Sequence, residues 1–337
     1  MEKKSTRIDY IDTAKAYLIL LVVLGHILIV LNPGYDKIIF TLLQSFIYTF
    51  HMPAFFLIHG ILFNGEKWKV IPAKEYVFKR IYSLIVPYLF FELLGIIWKA
   101  IFSNQPLING LYNLITIRCN VGADWFLPAM FMGSMLFIIY VKHPQTVVGI
   151  ISIVVCFILS MFMSEQQYLI VVGRALLAYG FIMIGYLGKS FFQSEKVRKF
   201  RYLIVSFLIT VGVAVISLKW CGNDFYSCTV DNPVTFVIGG ISGTVLILGV
   251  SRILHYKLFA SIGKYTLIIM GTHQLVIYAF SALIPGLYGG SWGEGVCLLL
   301  IIAVFEIPVI YILDRFLPFF VGKKKCQNVF GFGSRRG

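Results

Sequence analysis

The sequence predicts an all-α, polytopic membrane protein with about ten transmembrane helices and both termini in the cytoplasm. Of its 337 residues, 59% are hydrophobic and 13% are charged, whereas soluble domains carry about 25% charged residues. Apolar runs long enough to cross a hydrocarbon core of about 30 Å recur along the whole chain. These two observations indicate a membrane protein rather than a soluble globular domain.

Ten apolar segments are predicted to span the membrane. They lie at about residues 15–32, 40–63, 81–102, 125–141, 145–163, 169–190, 202–219, 233–251, 262–283 and 294–314. The polar stretches between them are no longer than loops, so we expect no separate soluble domain. The chain 1–337 is therefore predicted to be one membrane domain, with a cytoplasmic N-terminus at about 1–14, a transmembrane core at 15–314 and a basic cytoplasmic tail at 315–337.

The basic residues predict the orientation. If the N-terminus is cytoplasmic and the ten spans alternate, 24 of the 29 Lys and Arg residues fall on the inner side. So strong a bias matches the positive-inside rule and predicts that both termini lie in the cytoplasm. The net charge of +14 then reflects topology and attraction to anionic membrane lipids. Nucleic acid is not an expected partner, since no nucleic-acid-binding motif is found.

Cysteines and glycines indicate neither a metal site nor a nucleotide loop. The six cysteines show no metal-ligand spacing, and no paired-histidine zinc motif or Walker sequence is present. We therefore expect no bound metal. Cys221 and Cys228 both fall in a predicted outer loop, where a disulfide and two free thiols are both compatible with their spacing.

The first span carries an unusual pair of polar residues. Lys15 and His26 are eleven residues apart, which places them within about 20° of the same helix face and about 16 Å apart along the axis. Lys15 is expected at the membrane edge and His26 near the bilayer centre. An ionisable group at that depth is a functional-site hypothesis by default.

Other polar residues are buried in the remaining spans. They are His51, His59, Glu92, Arg174, His273 and Glu306. His51 is predicted at a depth similar to that of His26, so the two imidazoles could face each other across a polar cavity. A neutral imidazole accepts a proton from a hydroxyl, which is general-base chemistry. For each residue taken singly, a hydrogen-bonded packing role is an equal alternative.

Several segments together resemble the acyltransferase 3 family of integral membrane acyltransferases, and in particular its fucose 4-O-acetylase-like branch. The first motif of the family is a basic residue followed, after ten further residues, by a histidine. Lys15 and His26 have this spacing. His59 stands where many members have serine. The further matching segments, in family order, are Phe50-His51-Met52-Pro53, Lys79-Arg80 before Val86-Pro87-Tyr88, Asp124-Trp125-Phe126-Leu127-Pro128, and Gly263-Lys264-Tyr265-Thr266 with His273.

The resemblance implies transfer of an acyl group, most commonly acetyl, from cytoplasmic acyl-CoA to a hydroxyl of a cell-surface glycan or lipid-linked sugar. It also implies a multi-pass protein of the inner (plasma) membrane. Acetyl-CoA would be a donor substrate rather than a permanently bound cofactor. Lys15, Lys79 and Arg80 are candidates for contacts with the CoA phosphates. Alternatively, Lys79 and Arg80 only anchor the third span at the lipid headgroups.

The mechanism expected from the resemblance is direct transfer. His26 would take the proton of the acceptor hydroxyl, and His51 or another donor would stabilise the oxyanion. Trp125 would stack on a sugar ring, with Asp124 and Arg118 binding its hydroxyls, and His273 would line the channel. Asp124 and Trp125 can also be read as a helix N-cap followed by an interfacial aromatic residue. A covalent acyl-histidine intermediate is the alternative chemical route.

Two other classes of function compete with the enzyme. A proton-coupled transporter or flippase for a glycan or lipid-linked substrate would use the buried histidines and acids as a proton relay. A non-catalytic scaffold or receptor would leave His26 and His51 without a role. The acceptor, the length of the acyl group and assembly into a homo-oligomer are left open by the sequence.

Overall fold

The computed structural model describes residues 9–32, 34–164, 166–219, 222–284 and 290–323. Its helices are α1 (Asp9–Leu31), α2 (Ile38–Leu62), α3 (Gly65–Val70), α4 (Ala73–Arg80), α5 (Val86–Phe102), α6 (Leu107–Ile115), α7 (Phe126–Lys142), α8 (Thr146–Ser160), α9 (Gln167–Leu187), α10 (Lys189–Phe192), α11 (Phe200–Lys219), α12 (Pro233–Ile253), α13 (Lys257–Ile262), α14 (Thr266–Leu283) and α15 (Trp292–Phe316). A π-helical stretch, Ile81–Ile85, joins α4 to α5, and 3₁₀ turns lie at Gly122–Trp125 and Glu195–Arg198. Strands β1 (Asn223–Asp224) and β2 (Thr229–Val230) form an antiparallel hairpin.

The helices confirm the prediction of an all-α, polytopic membrane protein. Within the described residues, eight helical segments are long and apolar enough to cross a membrane: Asp9–Leu31, Ile38–Leu62, Ala73–Phe102, Gly122–Lys142, Tyr168–Leu187, Phe200–Lys219, Pro233–Ile253 and Trp292–Phe316. Two shorter apolar helices, Thr146–Ser160 and Thr266–Phe280, occupy the fifth and ninth predicted spans.

Long-range hydrogen bonds bring the basic loops to one face of the helix bundle. Thr13 Oγ at the start of α1 lies 2.9 Å from His255 Nδ1, just after α12. Arg252, near the end of α12, donates to the backbone carbonyls of Gln193 and Ser194. We call the end of the bundle formed by the start of α1, α3, α4, α10 and α13 the basic face. The opposite face carries α6, the Gly122–Trp125 turn and the β1–β2 hairpin.

Helix α1 begins earlier than the hydrophobic pattern predicts. The helix starts at Asp9 rather than at residue 15. The negative charges of Asp9 and Asp12 in its first turn stabilise the helix start, because they lie at the positive end of the helix dipole. Asp12 and Thr13 are also buried rather than solvated. A Cβ built on Gly263 would lie 1.8 Å from the Asp12 carbonyl oxygen, so only glycine allows this close approach. His26 lies five residues before the end of α1.

Helix α2 is the central helix, packed against α1, α9, α11 and α12. It crosses α9 with almost direct contact between backbones. A Cβ built on Gly60 would lie 2.0 Å from the carbonyl oxygen of Ile182, and one on Gly185 would lie 2.1 Å from that of Leu57. Small residues at a membrane helix crossing allow this close packing. The crossing therefore fixes the helix that carries His51.

Replacing Gly185 by alanine is expected to destabilise the fold. The added methyl group overlaps backbone rather than a flexible side chain, and overpacking of this kind costs about 1–3 kcal/mol. Thermal unfolding of the detergent-solubilised protein should show a lower midpoint. Gly212→Ala on α11 is the matched control, since a Cβ there meets nothing within 4 Å. An unchanged midpoint for Gly185→Ala would contradict the tight crossing.

Of the two outer-loop cysteines, for which a disulfide and free thiols were both left open, Cys221 lies outside the described residues. Cys228 itself is a free, fully buried thiol. Its Sγ lies 3.7 Å from the carbonyl oxygen of Ser160. Burial raises the pKa of the Cys228 thiol to about 12, so the reactive thiolate is scarce at neutral pH.

Candidate active site

A cavity of about 600 Å³ lies between α1, α2, α11, α14, the Gly122–Trp125 turn and the β1–β2 hairpin. His26 and His51 both line it, so the structure brings together the two histidines singled out in the sequence. Its volume lies within the usual range for small-molecule sites. Exposed Tyr35 and Tyr226 also line the cavity, which therefore reaches the opposite face of the bundle.

The two long helices present their cavity-lining residues at helical spacing. On α1, Val22, His26 and Ile29 line the cavity, and such residues three or four positions apart share one face. On α2, the lining residues form a largely polar stripe: Thr41, Gln44, Ser45, Tyr48, Thr49, His51 and Met52. A polar stripe along a membrane helix indicates a face turned towards a cavity or another helix rather than towards lipid.

His26 is held by a glutamine that the sequence analysis did not single out. The side-chain nitrogen Nε2 of Gln274 lies 3.0 Å from His26 Nδ1 and 3.3 Å from His26 Nε2. The side-chain oxygen Oε1 of Gln274 accepts a hydrogen bond from the backbone N–H of Ala123 at 2.7 Å. Because Ala123 can only donate, this bond fixes the orientation of the amide and turns its NH₂ group towards His26.

Glycine at position 122 lets this arrangement form. A Cβ built on Gly122 would lie 3.0 Å from Gln274 Oε1, which is tighter than nearly all real contacts. Gln274 thus connects three elements: α14, the turn before α7, and α1 through His26. All three approach the cavity, since His26, Ala123 and Gln274 line it.

His51 and His273 use one ring nitrogen each to bind their own helix. His51 Nδ1 lies 2.8 Å from the carbonyl oxygen of Ile47, and His273 Nδ1 lies 2.6 Å from that of Ile269. In both cases Nδ1 must donate, because a carbonyl only accepts. A neutral His51 therefore has an unprotonated Nε2, which can accept a hydrogen bond but cannot donate one to an oxyanion.

His273 packs beside His26 rather than on the cavity wall. The centroids of the two rings are 5.2 Å apart. His273 is fully buried, is not among the lining residues, and its Nε2 has no hydrogen-bond partner among the described residues. This geometry supports contact with His26, and the predicted position of His273 in a substrate channel stays a prediction.

Aromatic residues surround a buried arginine where the cavity reaches the opposite face. The guanidinium of Arg174 lies 5.3 Å from the ring centroid of Trp125 and 4.7 Å from that of Tyr226. Its Nε donates to the backbone oxygen of Tyr226 at 2.6 Å. Both aromatic residues line the cavity, but Trp125 is 5% exposed whereas Tyr226 is 45% exposed. Tyr226 therefore offers the more accessible ring face.

Two predicted substrate contacts lie away from the cavity wall. Asp124 is fully buried, and neither carboxylate oxygen has a hydrogen-bond partner among the described residues. Arg118 lies 5.3 Å from the ring of Tyr112, in the segment that follows α6. Neither residue is among those lining the cavity. Their predicted contacts with sugar hydroxyls are not tested by this geometry.

The other predicted cations gather at the basic face. Arg80 Nη2 donates to His59 Nε2 at 3.0 Å, and its guanidinium lies 4.9 Å from the ring of Tyr76. Lys79 lies 5.2 Å from the ring of Trp68. The residue at which this chain departs from the family pattern thus contacts one of the predicted CoA-binding cations directly.

Lys15 also has an acidic neighbour. Its Nζ lies 3.5 Å from the Oδ1 of Asp12, within the first two turns of α1. Lys15 and His26 are on the same helix, about 16 Å apart by their spacing. One helix therefore runs from the cationic cluster at the basic face to the cavity at the opposite face.

Among the described residues, no group of three or more metal-ligating side chains could hold a metal ion.

The fold and site define a multi-pass membrane protein in which one helix joins a cationic cluster to a histidine on the wall of a cavity. A family model described as an acyltransferase domain, acyltransferase 3, matches residues 8–315. The chain therefore belongs to the acyltransferase 3 family and is a membrane acyltransferase.

One curated relative is similar over part of the chain. Nodulation protein NolL from Mesorhizobium japonicum is 33% identical over 149 residues, which cover 42% of this chain and 38% of that protein. The matched region thus spans well under half the length of the relative. No solved structure matches the chain.

Proposed function

We propose that this protein is an O-acyltransferase that moves an acetyl group from acetyl-CoA at the basic face to a hydroxyl of a glycan or lipid-linked sugar at the opposite face. The observation that carries the proposal is the position of His26. It lies in the cavity that reaches the opposite face, on the same helix that carries Lys15 at the basic face. The match of an acyltransferase domain model to residues 8–315 supports an acyl transfer reaction.

The reaction is a direct transfer assisted by His26. The acceptor hydroxyl donates its proton to a ring nitrogen of His26 while its oxygen attacks the thioester carbonyl. The carbon–sulfur bond breaks, an ester bond forms, and the CoA thiolate takes the proton back from the imidazolium. A neutral His26 is regenerated, so no other proton donor is required.

Gln274 is the better candidate for the oxyanion donor than His51. Its amide oxygen is held by Ala123, so its NH₂ group faces His26 and the cavity. Without substrate, this NH₂ group lies within hydrogen-bonding distance of His26. Once the acceptor hydroxyl binds the same ring nitrogen, the N–H of Gln274 is free to donate to the developing oxyanion. His51, with its Nδ1 donating to Ile47, acts instead as an acceptor that orients the hydroxyl.

The donor binds at the basic face. The CoA phosphates contact Arg80, Lys79 and Lys15, since cations provide charge-assisted hydrogen bonds to phosphate. Arg80 already has its guanidinium ordered by His59 and Tyr76, so less freedom is lost when phosphate binds. The pantetheine arm extends from these phosphates along α1 towards His26.

Arg80→Ala is expected to raise KM for acetyl-CoA about tenfold, because one charge-assisted contact with phosphate is lost. The matched donor is S-acetylpantetheine, which carries the thioester but no nucleotide phosphates. Its KM should not change in the variant. Equal losses with both donors would instead indicate that Arg80 has a structural role at the membrane edge.

The proposal is tested with purified protein in liposomes and radiolabelled acetyl-CoA supplied on the side of the basic face. We expect label to be transferred to a saccharide acceptor on the other side, together with release of one free CoA per acetyl group. Movement of the saccharide across the membrane with acetyl-CoA left intact would instead support the transporter class.

A further inference from the structure

The cavity wall is almost without charge. Of its lining residues within the described part of the chain, Asp224 is the one charged side chain, and no lysine or arginine lines the cavity. The internal residues outside the described part, 33, 165, 220, 221 and 285–289, include no basic residue either. The lining is otherwise apolar, aromatic or neutral polar, as is usual for sites that bind uncharged small molecules.

The carboxylate of Asp224 is fixed at the wall. Its Oδ1 accepts from the backbone N–H of Tyr226 at 3.1 Å. Its Oδ2 accepts from the backbone N–H and the hydroxyl of Ser227, at 3.0 and 2.7 Å. These bonds hold the turn between β1 and β2, so the position of the carboxylate is set by the backbone. An incoming anion would meet this group at a fixed position.

Three cations adjoin cavity-lining residues: Arg174, Lys37 and Lys219, which directly follows Leu218 on α11. Arg174 is 5% exposed, its guanidinium is covered by the rings of Trp125 and Tyr226, and its Nε binds a backbone oxygen. It supports the wall without lining the cavity. On the α1–α2 connection, Lys37 donates to the backbone oxygen of Gly290 at 2.7 Å. None of the three is among the lining residues, so none offers the contents of the cavity a direct ion pair.

We propose that the acceptor residue bound in this cavity is an uncharged sugar, and that sugars bearing a carboxylate, sulfate or phosphate are rejected. The inference rests on the proposed function, because it takes the cavity to be the acceptor site. An anion entering the cavity would lose hydration without gaining a cationic partner, and it would approach Asp224. A neutral ring instead packs on exposed Tyr226 and Tyr35 and hydrogen-bonds to the polar stripe of α2.

The charge preference of the cavity is tested first, without relying on catalysis. A cysteine is introduced by Ser217→Cys, at a lining position on α11, in a background with Cys221, Cys297 and Cys326 replaced by serine. Its rates of modification by a cationic and an anionic methanethiosulfonate reagent are compared. The control is Ser103→Cys, in the exposed α5–α6 connection and not on the wall. We expect the cationic-to-anionic rate ratio to be at least tenfold higher at position 217. An equal ratio at the two positions would overturn the proposal.

The acceptor is tested with a matched pair of sugars. Methyl glucuronide and methyl glucuronamide have the same ring hydroxyls and nearly the same shape, and differ in charge at C6. We expect acetyl transfer to the amide to be at least tenfold faster than transfer to the carboxylate. Ser217→Lys should reduce this difference, whereas Ser217→Gln should not. Preference for the carboxylate in the wild type would overturn the proposal.

The two experiments separate failure of this inference from failure of the proposed function. If the thiol rates show the expected charge preference but no saccharide is acetylated, the enzymatic function fails while the cavity still excludes anions. If transfer occurs and favours anionic sugars, the function stands and the charge inference is wrong.

Discussion

Replacing His26 by alanine is expected to lower the rate of acetyl transfer by about 10²–10⁴-fold, the usual contribution of a positioned general base. The loss should be in kcat, because His26 interacts with the reacting hydroxyl and lies far from the cations assigned to CoA. Binding of acetyl-CoA should therefore change little. Steady-state transfer kinetics and equilibrium binding of labelled acetyl-CoA, measured side by side, check both statements.

The control for this variant is His143→Ala. His143 is exposed, follows the end of α7 and does not line the cavity. Its loss should leave transfer unchanged, and both variants should keep the thermal midpoint of the wild type. A His26→Ala protein that is folded and still transfers acetyl at the wild-type rate would remove His26 from the mechanism.

Local sequence was sufficient to predict the parts of this molecule that depend on one helix. The spacing of Lys15 and His26 depends only on helix geometry, and both residues lie on α1. Span positions follow from hydrophobicity, which explains why the helical class is confirmed. Helix α1 extends about one and a half turns before the predicted span, since Asp12 and Thr13 are polar but buried by tertiary packing that hydropathy does not describe.

The parts that the sequence did not predict depend on contacts between distant segments. Gln274 follows His273 directly and was overlooked, although it meets both His26 and Ala123. Tyr226 belongs to a short hairpin without a strand pattern of its own, and it is placed by Arg174, 52 positions earlier. The polar stripe of α2 was a signal that could have been used, since its members recur at helical spacing.

The role assigned to Gln274 leads to a second strong prediction. Gln274→Leu should lower kcat by about 10²–10³-fold, the loss observed when one oxyanion-hole donor is removed. Leucine removes the amide N–H, and it also leaves the backbone N–H of Ala123 without its acceptor. Rates measured for this variant alone would therefore combine loss of the donor with distortion of the Gly122–Trp125 turn.

Gln274→Glu separates these two effects, because glutamate has nearly the same shape and still offers an oxygen to Ala123. If Gln274 is the oxyanion donor, the glutamate variant should lose kcat as severely as the leucine variant while keeping the wild-type thermal midpoint. A glutamate variant with wild-type kcat would mean that Gln274 only supports the turn, and that another group provides the oxyanion donor.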